Sequence, residues 1–332
     1  MDVLLSIPIL SVLFRPSLTT SINLLFFYAT WSSLVLSHDP ITIHATSLLV
    51  LRVIFWLIPA LLFFAFDSLI PSVAGSIKFA GTVTRPRRPF SLIGLAVFNM
   101  VLITFVESAL SYAFHLATGQ TLFRMSTTLP LPWQIFKQHC ILFVSREVLT
   151  YYLHRHLLHG TRFPTLTRLH TTYAHGSPTT TPLQLYADHP LPMLVLQLLP
   201  VLLPAAILRP HMITYLFFLG LCAVETTLVT SGYSIVPGVV IGGNARRNAA
   251  HYASRGRANF GAWGILDWAH STSKGGDVVE DIRDEAEKHR VKERSAAKAG
   301  KGAGLLQDGV DAIKDGTPTR RSTRKRTTKK AN

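Results

Sequence analysis

Long apolar runs restrict the architecture of this chain more than any short motif does. Runs near residues 18–37, 45–69, 90–117, 135–155, 190–208 and 211–231 each approach the roughly 20 residues that a helix needs to cross a bilayer. Inside hydrocarbon every backbone polar group must find an internal partner, so such runs fold as helices. Only 15% of the residues are charged, against about 25% in soluble domains. The predicted fold class is therefore all-α: a polytopic membrane helical bundle with a cytosolic histidine-rich cap and a disordered basic C-terminal tail. Arg52 in the second run either snorkels or pairs, and Glu107 stands in the third. The last two runs form a hairpin that turns at Arg209-Pro210.

Positive loops face the cytosol. This assigns Arg85-Pro86-Arg87-Arg88 and everything beyond Gly242 to that side. Six spans then put both termini in the cytosol and bring residues 154–159, the ends of the hairpin and residue 251 to one membrane face. The N-terminus lacks the basic region of a secretory signal, so the first segments are expected to be retained. The net charge of +15 owes much to seven basic residues between Gly316 and Asn332. On a membrane chain these favour anionic lipid over nucleic acid. Residues 277–294 are charged all round and read as a solvated helix, and the chain beyond Ala299 reads as disordered. The last four residues, K-K-A-N, resemble a dilysine retrieval signal through Lys329 and Lys330, which predicts an endoplasmic reticulum membrane protein; a basic tail also reaches this pattern by chance. Cys140 and Cys222 lie in apolar surroundings, support neither a disulfide framework nor a thiolate metal site, and read as small buried hydrophobes.

Six histidines (His154, His156, His159, His170, His175, His189) fall within 36 residues. Imidazole is the commonest nitrogen ligand for transition metals, and ionisable groups near a bilayer mark function. Plainer readings exist for each. His154 and His159 also suit lipid headgroups, and His189 before Pro190 suits a helix cap. His251, beside Arg255 and Arg257, also suits a solvated loop. On an ideal helix, residues five apart point about 140° apart and residues three apart about 60°. His156 is thus either a substitute ligand or an exposed neighbour.

In combination these residues resemble the fatty acid hydroxylase/sterol desaturase superfamily over about residues 135–272. Glu147, Tyr151, His154, Arg155 and His159 match its first box. His170, His175, His189 and Pro190 match the second, and Glu225, Ser231, Gly232 and Tyr233 a following E-x-x-x-x-H-S-G-Y stretch. His251, Asn259, Phe260, Gly261, Asp267 and Thr272 match the third box and its sequel. The resemblance implies metal ligands His154, His159, His170, His175, His189 and His251, and supporting catalytic roles for Glu147, Tyr151, Arg155 and Glu225. It implies non-haem iron, two ions in the family and as few as one here. It also implies a lipid substrate, O2, and electrons from a donor such as cytochrome b5 with its reductase. The expected domains are N-terminal membrane spans (1–134), a catalytic domain (135–272) and a charged tail (273–332).

The chain departs from the pattern at Thr230, Ala174 and Ala250, which stand where the family has histidine, and at Arg247, which sets a charge against a bound cation. These departures support a second reading, a catalytically degraded member acting as a lipid-binding or scaffolding membrane protein. A mononuclear-metal hydrolase or isomerase is a third. No convincing Ser-His-Asp or Cys-His arrangement, haem motif or flavin motif is present.

Overall fold

The computed structural model describes residues 18–288 except 84, 85, 87, 178, 179 and 237, together with residue 307. The N-terminal stretch before residue 18, two of the basic-loop arginines, the basic tail and the dilysine sequence lie outside the described residues. The chain divides into two units, Met1–Asp281 and Ile282–Asn332. The elements that carry the candidate site all belong to the first.

The described residues are helical and contain no β-sheet, only two isolated bridges. In chain order the helices are α1 (Leu18–Ser37), α2 (Pro40–Leu69), α3 (Pro71–Ser76), α4 (Pro89–Thr118), α5 (Pro132–Leu153) and α6 (Pro164–Tyr173). They continue with α7 (Pro190–Leu208), α8 (Met212–Thr230), α9 (Val239–Ala253), α10 (Ile265–Ala269) and α11 (Val278–Lys288). Among the described residues, four helices are long and apolar enough to cross a membrane: α2, α4, α7 and α8. This is an all-α polytopic membrane bundle.

Of the six expected spans, four are met by these helices among the described residues. The described apolar part of α1, Ile22–Ser37, is shorter than a span. α5 has the length, but it carries Lys137, Gln138, His139, Arg146 and Glu147, and Arg146 and Glu147 are buried against protein rather than lipid.

α2 packs against α4 and α8, α5 against α7, and α8 against α9. The core between them holds Trp56, Met100, Phe123, Tyr215 and Phe218. Cys222 is buried as expected, whereas Cys140 is exposed on α5. Arg52 does not snorkel. Its guanidinium pairs with Glu107 deep in the bundle, with both side chains at most 3% exposed.

The spans α2 and α7 each contain a π turn, Val53–Leu57 and Leu194–Leu198, just ahead of Pro59 and Pro200. Proline lacks an N–H and its ring crowds the carbonyl four residues back; a π turn absorbs both faults within a continuing helix.

Candidate metal centre

α5 ends in a third π turn, His154–Leu158, where no proline demands one. The His159 N–H donates to the His154 carbonyl at 3.0 Å. This i→i+5 bond brings the two rings to 4.9 Å, although an ideal α-helix would point them about 140° apart. His156 is exposed and stacks on Tyr152 with ring centres 6.0 Å apart. The turn depends on Gly160, because a Cβ there would lie 2.2 Å from the His156 carbonyl oxygen.

α6 brings His170, the turn after it brings His175, and α9 brings His251. One ligand atom from each of His154, His159, His175 and His251 lies within 4.8 Å of every other. His170 adjoins this group, with its ring 4.9 Å from His159 and 5.0 Å from His175. His189 stands apart. It caps the N-terminus of α7, accepting from the Leu191 N–H at 3.3 Å, and its ring packs on Tyr173.

Backbone carbonyls aim two of the rings. His154 Nδ1 donates to the Phe260 carbonyl at 3.0 Å, and His251 Nδ1 to the Ala258 carbonyl at 2.6 Å. Each bond leaves Nε2 as a free lone pair, the arrangement that metal-binding histidines use. His170 Nδ1 bonds Asp188 Oδ2 at 2.5 Å. The buried Nε2 atoms of His154 and His170 and Nδ1 of His175 have no protein partner. Burial, reinforced by the neighbouring imidazoles, pushes the pKa of His159, His175 and His251 below the ordinary histidine range. These rings are uncharged at neutral pH, the state in which imidazole donates to a cation.

The other motif residues build the loop that supplies those carbonyls. Asp267, fully buried, accepts from the Phe260 and Gly261 N–H groups at 2.8 and 2.6 Å and from Thr272 Oγ1 at 2.7 Å. Asn259 takes a left-handed backbone (φ 59°) and donates to the Arg247 and Lys274 carbonyls, each at 2.9 Å. Glu147 accepts from the N–H groups of Trp263, Ile265 and Leu266, capping the start of α10. Glu225 bonds Arg146 at 2.6 Å and the Trp263 indole at 2.8 Å. Arg155 donates to the Tyr151 hydroxyl, which also meets Thr272 Oγ1 at 3.3 Å. The described hydrogen bonds of Glu147, Tyr151, Arg155 and Glu225 thus run to the 260–272 loop and to one another's helices, not to a clustered histidine.

Where the family has histidine, Thr230 turns its hydroxyl back to the Thr226 carbonyl at 2.6 Å, and Ala174 is buried. Arg247 does not set an unbalanced charge against the centre. It pairs with Asp281 and donates to Asn244 Oδ1 at 2.6 Å. Sequence reasoning missed Asp188 and Gly160. For Asp188 a signal was at hand, since the acid directly precedes the motif histidine in A-D-H-P; for Gly160 only the backbone contact reveals the need.

Two cavities meet at the histidines. One, of about 80 Å³, is lined by His154, His170 and His251. The other, of about 140 Å³, runs from His154 and Phe260 between α7 and α8, past Val201, Leu219 and Ala223.

A family model described as Fatty acid hydroxylase matches residues 139–272. No solved structure matches the chain. The matched segment takes in the four grouped histidines, the loop that orients them and the acidic residues that brace it. Residues 139–272 thus form a fatty acid hydroxylase-like domain, which supports a function of the general lipid hydroxylase or desaturase type.

Gly160→Ala should disrupt the centre without touching a ligand. The new methyl cannot coexist with the His156 carbonyl, so the π turn must open and His159 must move. Metal retained after purification should fall by about 10-fold or more, the usual scale for a disturbed ligand-supporting group, while far-ultraviolet circular dichroism stays unchanged. Full metal retention in this variant would show that the turn does not hold His159 in place.

Proposed function

We propose that His154, His159, His175 and His251 hold a non-haem iron ion and that the domain uses O2 to hydroxylate or desaturate a lipid. The observation that carries this reading is the set of four imidazole donor atoms within 4.8 Å of one another. The donors suit a divalent cation: they are neutral, the two rings bonded to carbonyls have the right tautomer, and buried ring nitrogens lack any other partner. Imidazole also suits zinc, copper and nickel, so the preference for iron rests on the family. Iron bound there would supply O2 activation and removal of hydrogen from an unactivated C–H bond.

The chain's own residues do the rest. Asp267 and Glu147 fix the loop whose carbonyls orient His154 and His251. Asp188 holds His170, a further donor beside the four. The cavity between α7 and α8 admits a chain laterally from the bilayer and keeps water from the reacting carbon. No haem or flavin motif occurs in the sequence, so electrons come from a separate donor such as cytochrome b5 with its reductase.

Metal analysis of protein purified in mild detergent tests this reading. Iron near one equivalent per chain is the expected result, and near two if His170 helps to hold a second ion. Folded protein with under about a tenth of an equivalent of any transition metal would favour the lipid-binding scaffold instead. We also assign the protein to the endoplasmic reticulum, on the strength of Lys329 and Lys330. Replacing both with Ser should let it reach later membranes, and an unchanged location would refute the retrieval signal.

A further inference from the structure

Carbonyls aim His154 and His251, and the π turn places His159, but no backbone carbonyl aims His175. Its Nδ1 is buried without a protein partner, and its Nε2 faces Nε2 of His159 at 3.3 Å. The direction of this ring therefore depends on the backbone of the turn that follows α6. That turn is tied on both sides of His175. Gln184 Nε2 donates to the Ala174 carbonyl at 2.7 Å, and Lys78 Nζ donates to the Thr180 carbonyl at 2.9 Å.

Lys78 lies 102 residues upstream of Thr180, in the segment after α3 and outside the matched stretch 139–272. Its ammonium pairs with Asp67 near the end of α2, and the two side chains are only 3% and 5% exposed. The Tyr233 hydroxyl donates to the other oxygen of Asp67 at 2.6 Å. Around Lys78 and Tyr233 the two segments run antiparallel. The Phe79 N–H donates to the Gly232 carbonyl at 2.9 Å, and the Ser234 N–H to the Ile77 carbonyl at 2.7 Å. Thr180 packs so closely here that a Cβ on Gly232 would lie 2.4 Å from its Oγ1. A buried ion pair adds little net stability, because desolvation offsets most of the attraction. What the pair does supply is a fixed direction for the Lys78 ammonium.

We propose that Asp67 and Lys78 are positioning residues: the pair holds the Thr180 carbonyl and through it sets the place of His175 in the histidine group. The role of that group as a metal site rests on the reading above, whereas the tie itself rests on the contacts. The matched domain then does not complete its own donor set. One of its four donors is placed by residues that precede it in the chain.

The test uses full-length protein in detergent, stripped of metal with a chelator. Lys78→Met alone would strand Asp67, so the main variant is Asp67→Asn/Lys78→Met. It removes both charges and leaves an amide oxygen for the Tyr233 hydroxyl. Hydrogen exchange of the metal-free protein should quicken over residues 174–184 and stay unchanged in α5 and α9. Cobalt(II), whose visible spectrum reports the number and geometry of its donors, should bind about 10-fold or more weakly, the usual scale for a lost supporting contact. Its spectrum should change as well. A pair that served stability alone would lower the melting temperature and leave the cobalt affinity and spectrum of the folded protein at wild-type values; that result would overturn the proposal. Unchanged exchange over 174–184 would overturn it too. Tyr233→Phe keeps the bond from Lys78 to Thr180 and should bind cobalt as the wild type does. A loss equal to the double variant's would refute the assignment to Lys78. If the double variant fails to fold, Lys78→Arg replaces it with the same readouts, since it keeps a cation for Asp67 but not the compact donor aimed at Thr180. The two readings fail separately. Wild-type protein that binds no transition metal, while the double variant still loosens 174–184, refutes the metal centre and keeps the tie. Metal-binding wild type with an indifferent double variant refutes the tie alone.

Discussion

His251→Ala is expected to abolish lipid oxidation and to strip the metal together, with expression unchanged. His251 is the group's only donor from α9, and it brings its own carbonyl partner, Ala258. Removing one of four donors leaves three, and activity should fall by at least about 100-fold because ligand and chemistry act as a unit. For the same reason a His154→Ala/His251→Ala double variant should be no worse than either single one. The spans do not depend on this ring, so circular dichroism should not change. Two controls give the result its meaning. His156→Ala should keep its metal, since that ring is exposed against Tyr152. His189→Ala should keep it too, since that ring caps α7 away from the group. Full metal and turnover in His251→Ala, with both lost in His154→Ala, would reduce the site to the first two boxes and sink the four-histidine assignment.

The second large effect concerns stability rather than chemistry. Arg52→Leu should destabilise the bundle by about 3–5 kcal/mol, the usual consequence of stranding one member of a buried ion pair. Glu107 would keep only its bond from the Tyr215 hydroxyl and its distant neighbour His44. The partner variant Glu107→Leu should be similarly damaging, leaving the Arg52 guanidinium without a carboxylate and with only neutral neighbours such as Thr104 at 2.9 Å. Replacing both residues with Leu should recover most of the loss, because the desolvation cost of both charges disappears with their attraction. Thermal melts in detergent of the wild type, the two single variants and the double variant supply the comparison. A double variant as unstable as the sum of the singles would mean that the two charges act independently, contrary to their direct contact.

The sequence by itself determined the class of fold, because burial in a bilayer is a sum over neighbouring residues and a run of about 20 can be read locally. It also pointed to the segments that supply the clustered histidines and their supporting loop, since the histidine spacings and the N-F-G and D-W-A-H-S-T stretches are local patterns. It could not decide α5, whose length fits a span but whose Arg146 and Glu147 are satisfied only by Glu225 and by the 263–266 backbone, far along the chain. Nor could it choose among the histidines. On an ideal helix His154 and His159 diverge; the π turn that Gly160 permits brings them together and turns His156 outward. His189 carries the motif spacing yet ends as a cap, while its neighbour Asp188 reaches back 18 residues to His170. The choice of ligands depends on where backbone carbonyls and helix ends converge in space, and that convergence is set by packing between segments up to about a hundred residues apart, which no local pattern records.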